Sequence, residues 1–174
     1  MLKDIDYKIL FGLMENSKTS DRQLAKKIGV SQPTVTRRRA RLEREVIDGY
    51  TAIPKWKKLG YELLAITLVK TPFDLGSTEM RKNTIETSMK WLDKQPNVIF
   101  CAVCRGMGLT GIIFSVHKNY SGLDEFLSNH KQELGNILED AQTIIVNLAG
   151  EGVYRPLHFK YLAKGYVQKR KKTT

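Results

Sequence analysis

The chain of 174 residues lacks several features that would change its reading. It has no long apolar run. Stretches such as Leu63 to Val69 and Val98 to Cys104 reach roughly a third of the length that a bilayer crossing requires. No membrane span is therefore expected. The first residues, Met1-Leu2-Lys3-Asp4-Ile5-Asp6, carry acids where a secretory leader needs a basic start and then a long apolar stretch, so a cytoplasmic protein is expected. Cysteine is scarce: both copies lie in Cys101-Ala102-Val103-Cys104. The spacing suits metal or redox chemistry, but no second Cys or His pair accompanies it, and Val98-Ile99-Phe100 beside it reads as a strand. In a strand, an offset of three sends the two side chains to opposite faces, which favours a buried structural role. His117, His130 and His158 have no ligand rhythm, so neither a metal nor another cofactor is expected.

What is present is a folded composition, 41% hydrophobic, and a basic excess of +11. The excess is uneven. Residues 1–58 hold 14 Lys/Arg against 7 Asp/Glu, residues 59–159 hold 9 against 11, and residues 160–174 hold 6 against none. Two basic ends around a slightly acidic middle imply a polyanionic partner for the ends and a different task for the middle.

The first basic segment reads as three short helices. Ile5, Ile9, Leu10 and Leu13 recur at helical spacing up to a stop at Glu15-Asn16-Ser17. Ser20-Asp21-Arg22-Gln23 is a capping box ahead of Leu24, Ala25 and Ile28, and Gly29 ends that helix. Ser31 is a second N-cap, Pro33 sits in the first turn of the next helix, and this third helix runs to about Glu45. Helix, Gly-containing turn and second helix together make a helix-turn-helix, whose second helix enters the DNA major groove. Val35 and Leu42, seven apart, should face the core, which leaves Ser31, Gln32, Thr34, Thr36, Arg37, Arg38 and Arg41 to face double-stranded DNA. Gln and early Arg suit base edges, while Ser, Thr and later Arg suit phosphates.

Ile9-Leu10, Glu15-Asn16-Ser17, Leu24-Ala25, Val30-Ser31, Thr34-Val35, Arg37-Arg38, Arg41-Leu42-Glu43, Val46-Ile47 and Gly49-Tyr50-Thr51-Ala52 together resemble the leucine-responsive/asparagine (Lrp/AsnC, feast/famine) family of regulators. The resemblance covers residues 1 to about 60. It implies a transcription regulator with a winged or extended helix-turn-helix, in which Ser31, Thr34, Thr36, Arg37 and Arg38 contact DNA. Arg39 departs from it, standing where relatives usually carry an apolar residue. Either the helix is slightly rotated or Arg39 reaches out to phosphate.

Residues 53–60, Ile53-Pro54-Lys55-Trp56-Lys57-Lys58-Leu59-Gly60, read as a linker with a short strand and a hinge, bracketed by Pro54 and Gly60. By resemblance the chain crosses here between subunits. Beyond it, strands over 63–71, 98–104, 109–117 and 142–148 alternate with helices over 78–94 and 121–138. Met80, Ile85, Met89 and Leu92 of the first helix point inward, and Ser121 caps the second. The order β-α-β-β-α-β is ferredoxin-like, so the fold class is α+β: a three-helix (winged) helix-turn-helix domain over 1–52, the linker, and a ferredoxin-like domain over 61–150. In the first strand both faces are apolar, and a sheet face left open with such residues should bury against a second copy, so a homodimer is expected. The family's second domain dimerises through its sheet and can build octamers. In the C-terminal extension, residues 151–174, Phe159, Tyr161, Leu162 and Tyr166 should dock on the body. The basic Lys169-Arg170-Lys171-Lys172 should be disordered and add non-specific DNA affinity.

Gly106-Met107-Gly108-Leu109 joins the two central strands. Taken alone it is a weak loop signal, since its glycines precede a strand and not a helix. By resemblance it adjoins an amino-acid effector pocket at the subunit interface. Met107 and Leu109, however, replace the acids expected after Gly106, which removes groups suited to an ammonium. Three functions remain: a sequence-specific regulator, a nucleoid-associated architectural protein with weak sequence preference, and an enzyme resembling sirohaem decarboxylases. The last has no paired carboxylates or His pair at useful spacing.

Overall fold

The computed structural model describes residues 1–72 and 78–171, with residues 166–171 described by backbone alone. The chain forms two compact units. The first comprises residues 1–53 together with 156–174, and the second residues 54–155.

In the first unit, α1 (Asp4–Glu15), α2 (Asp21–Ile28) and α3 (Gln32–Glu45) enclose Ile9, Leu13, Leu24, Ala25, Val35 and Leu42. These are the apolar positions at helical spacing, and burying each such aliphatic side chain contributes about 1.5–3 kcal/mol. A later helix, α6 (Lys160–Lys171), packs against α1, with Ala163 fully buried. The basic end expected to be disordered is therefore helical through Lys171, while Lys172 lies outside the described residues. Of the residues expected to dock, Phe159 and Leu162 are exposed, Tyr161 packs edge-on against His158, and the side chain of Tyr166 lies outside the described residues.

The second unit opens with a 3-10 turn, Trp56–Leu59, closed by Gly60 in the left-handed region. No strand lies between α3 and Gly60 among the described residues, so neither the short linker strand nor a wing is formed. A lone extended segment without a partner strand has nowhere to place its backbone hydrogen bonds. The unit continues as β1 (Leu63–Lys70), α4 (Thr78–Leu92), β2 (Val98–Gly106), β3 (Leu109–His117), α5 (Tyr120–Leu134) and β4 (Asp140–Asn147). All neighbouring strands are antiparallel, in the order β2-β3-β1-β4, with Ile66 facing Phe114 on one side and Ile144 on the other. This is the ferredoxin-like arrangement.

The core lies between the sheet and its helices. Leu63, Ala65, Val69 and Ile113 meet Trp91 of α4 and Leu123, Phe126 and Leu134 of α5. The inward stripe expected of α4 is corrected here. Met80, Ile85 and Met89 are exposed, Leu92 is half-buried, and the helix is anchored by Trp91, whose Nε1 donates to Asn129 Oδ1 at 2.9 Å. One large aromatic outweighs three thin aliphatic chains, and the helix turns to bury it. The cap of α5 is likewise Asn119, whose Oδ1 accepts from Gly122 N at 2.9 Å, two residues earlier than Ser121. Cys101 is exposed and Cys104 half-buried, so the buried role expected for the pair does not hold for Cys101. It lies on edge strand β2, where neighbouring Val103 is also left uncovered.

Candidate nucleic-acid interface

The α2–α3 corner is fixed by local chemistry. Ser20 N donates to Gln23 Oε1 at 2.9 Å while Gln23 N donates to Ser20 Oγ at 3.3 Å, so two backbone N–H groups at the start of α2 are satisfied reciprocally. Gly29 closes α2 with φ of 79°, a conformation that is cheap only without a Cβ. Ser31 occupies the N-cap position of α3, but its hydroxyl pairs with the Thr34 hydroxyl at 2.8 Å instead of capping a backbone N–H.

The orientation of α3 is set by ion pairs. Asp6, on the buried stripe of α1 with Ile9 and Leu13, is fully enclosed. It accepts from Lys3 N at 2.7 Å, Arg38 Nη1 at 2.9 Å and Arg41 Nη2 at 2.6 Å. Burial alone would raise its pKa. The Lys3 N–H and the two guanidiniums outweigh that and hold the carboxyl below its ordinary value. On the opposite flank Arg39 Nε donates to Glu43 Oε1 at 2.8 Å and its Nη1 to Asp21 Oδ1 at 3.1 Å, with the guanidinium over the Tyr50 ring. Tyr50 in turn donates to Glu43 Oε1 at 2.8 Å. The hydrogen bond from Arg39 and then that from Tyr50 lower the Glu43 pKa, and the guanidinium is held even more firmly protonated than usual. Arg39 thus neither marks a rotated helix nor reaches outward; it ties α3 to α2 and to the segment beyond.

The seven expected contact residues divide accordingly. Gln32 and Arg37 are exposed on α3, and Arg37 has no ion pair among the described residues. Thr36 is exposed but donates to Asp21 Oδ2 at 2.7 Å, and Ser31 and Thr34 satisfy each other. Arg38 and Arg41 turn part of each guanidinium inward to Asp6. With Arg37 they still border a shallow basic depression of about 530 Å³, completed by Lys3, Ala40 and Arg44. Sequence reasoning missed Lys3 and Arg44 as members and Asp6 as organiser. The signal for Asp6 was available, because an acid in register with Ile9 and Leu13 must be paired if the stripe is buried.

Gly106, Met107, Gly108 and Leu109 form the tip of the β2–β3 hairpin. Gly106 pairs with Leu109, while Met107 (φ 53°) and Gly108 (φ 74°) both take the positive φ of a type I′ turn. Met107 is almost fully exposed.

Comparison with known proteins agrees with this geometry. The AsnC-type helix-turn-helix domain profile matches residues 2–43. An uncharacterised HTH-type transcriptional regulator of Pyrococcus furiosus is 44% identical over 70 residues, 40% of this chain and 47% of that protein. The HTH-type transcriptional regulator Ptr1 of Methanocaldococcus jannaschii is 27% identical over 158 residues, 90% of this chain and all of that protein. The chain thus aligns with only about half the length of the first relative and with the whole of the second. Among solved structures, Escherichia coli AsnC superposes with a TM-score of 0.71 at 22% identity, covering 90% of this chain and 98% of AsnC. A Neisseria meningitidis transcriptional regulator in complex with L-Met superposes with a TM-score of 0.69 at 21% identity, covering 93% and 99%. At such identities the structures speak for the fold alone. The chain thus resembles the Lrp/AsnC regulators in two respects, an AsnC-type helix-turn-helix profile over residues 2–43 and the AsnC fold across nine-tenths of its length.

Proposed function

We propose that the chain is a sequence-specific DNA-binding transcription regulator that acts in the cytoplasm as a homodimer or higher oligomer. The observation that carries this reading is the division of labour along α3. Gln32 and Arg37 stand exposed where a recognition helix meets base edges, and Arg38, Arg41 and Arg44 with Lys3 make a cationic border suited to phosphates. Ser31, Thr34 and Thr36 join the contact surface if their hydroxyls exchange internal partners for phosphate oxygens. Dimerisation is supported by the sheet. Leu64, Ile66, Leu68, Ile112, Phe114 and Ile144 share, by register, the face opposite the helices, and such a face buries well only against another apolar surface.

A small-molecule effector, an amino acid as in the L-Met complex or another compound, fits the same reading. The Gly106–Leu109 turn is too exposed to enclose a ligand alone, so a site there would need walls from a second copy. The architectural alternative shares the basic border but not the need for exposed Gln32 and Arg37. An enzyme reading has little to stand on: His117 and His130 are packed against Phe126 and Trp91. Genome-scale DNA capture tests the proposal. Sharp, recurrent sites support it, and uniform coverage would replace it with the architectural role.

A further inference from the structure

Between α4 and the helix-covered face of the sheet, the second unit leaves a recess of about 430 Å³, inside the roughly 300–1,000 Å³ range of small-molecule sites. Its walls include Ile85, Met89 and Trp91 of α4, Ile113 of β3 and Leu134 of α5. The Thr110 and Ser88 hydroxyls are already engaged. Thr110 Oγ1 accepts from Thr71 N at 2.9 Å and donates to Val69 O at 3.3 Å, and Ser88 Oγ donates to Thr84 O at 2.8 Å. Two polar groups are not. Arg81, in the first turn of α4, is exposed at the border with no ion pair among the described residues. His130, 2% exposed, borders the recess with Nε2 buried and without a hydrogen-bond partner among the described residues. Well-packed proteins seldom leave such an atom unsatisfied.

We propose that this recess, contained within one protomer, binds a small carboxylic acid with an apolar, ring-sized body. The body lies against Trp91 and Ile113, the carboxylate meets Arg81, and a polar atom at the far end satisfies His130. Burial favours the neutral imidazole, which can donate or accept there, so the far end should be an uncharged hydroxyl. Ile85 and Met89 of α4 are exposed and line the recess, so an occupant would cover them. The site does not depend on the DNA-binding reading: it would be occupied whether or not the first unit reads sequence.

The test uses the full chain carrying Trp56→Phe, which leaves Trp91 as the sole indole reporter, titrated with 4-hydroxyphenylacetate and with phenylacetate. We expect saturable changes in Trp91 emission for both, with tighter binding of the hydroxylated acid. Arg81→Ala should weaken both at least fivefold, His130→Phe should remove the preference for the hydroxyl, and Ser88→Phe should block binding by filling the recess. Arg81 is exposed, so its variant should fold normally, and an unchanged far-UV circular dichroism spectrum checks this. A second readout is thiol labelling in a Cys104→Ser background, where an occupant should slow modification of Cys101, which lines the recess. No saturable response from the starting protein, or Arg81→Ala and Ser88→Phe binding both acids unchanged, would overturn the proposal.

Discussion

Three arginines within three positions of α3 have different tasks, and substitution separates them. Arg37→Ala removes an exposed cation with no ion pair among the described residues, so the stability of the fold should stay within about 0.5 kcal/mol. Operator affinity should fall by about 1–3 kcal/mol if Arg37 makes a bidentate base contact. Arg39→Ala removes bonds to Glu43 and Asp21 and the ring contact with Tyr50. It should destabilise by about 1–2 kcal/mol while changing selectivity between operator and scrambled DNA little. Urea unfolding beside competition binding distinguishes the two, and a reversal of the pattern would show that the wrong face of α3 has been assigned to DNA. Asp6→Asn leaves two partly buried guanidiniums facing an uncharged amide, for a loss of about 3 kcal/mol, near the low end for breaking a buried pair because Arg41 is still partly hydrated. The Asp6 carboxyl titrates below its unfolded value of about 3.9. Its contribution is therefore complete above about pH 5 and is lost as pH falls through the carboxylate range toward the lowered folded value. An Asp6→Asn variant should accordingly lose less stability than the parent between pH 5 and pH 2, followed by urea midpoints. The composition of α3 reveals its arginines but not this partition, because which guanidinium turns inward is decided by Asp6 and Asp21, 32 and 18 residues away along the chain.

At the level of elements, the helix-turn-helix is legible because its signals are local: a capping box, a left-handed glycine and apolar residues at a period near 3.6. The ferredoxin-like order is legible for the same reason, from strand-length apolar runs alternating with helical ones. What resists reading is anything set by a neighbour. The linker residues have strand composition but form a 3-10 turn, since a strand needs a partner, and α4 buries Trp91 in place of its methionines because the space above the sheet suits an indole. The hairpin tip gives an element-scale prediction. Met107 holds φ of 53° beside Gly108 at 74°, a strained state for a residue with a long side chain, whereas Asn-Gly is the pair that a type I′ turn prefers. Met107→Asn should stabilise the second unit by about 0.5–1 kcal/mol in thermal unfolding. An unchanged or lower Tm would mean that the turn does not hold this geometry in solution.

For the whole molecule, the open sheet face and the basic first unit each set an expectation. Ile144 is about half exposed and faces Ile66 across the open side. Ile144→Asp should thus be tolerated within one chain and yet convert a dimer to monomers by light scattering, with operator affinity falling as the second reading helix is lost. DNA binding should weaken steeply with salt. Each phosphate neutralised contributes about −0.9 to the slope of log affinity against log salt, so Lys3→Ala should flatten that slope by about one. The second unit has its own acid sensitivity, because burial lowers the pKa of both His117 and His130. With the folded values below about 6.5, their neutral packing is stable above that pH and is eroded as pH falls past it. The sheet unit should therefore begin to weaken at milder acidity than the Asp6-centred unit.

The return of the chain to its starting unit carries a genetic consequence. Since α6 packs on α1 and buries Ala163 there, residues on the far side of the sheet unit in the chain complete a structure begun before it. A nonsense mutation just after Arg155 would spare every codon of the sheet unit and still strip a helix from the surface of α1. On a nascent chain, the first unit is finished only after the whole sheet unit has been synthesised. Frameshifts in the codons that follow Arg155 should here be scored as defects in operator occupancy and not in assembly.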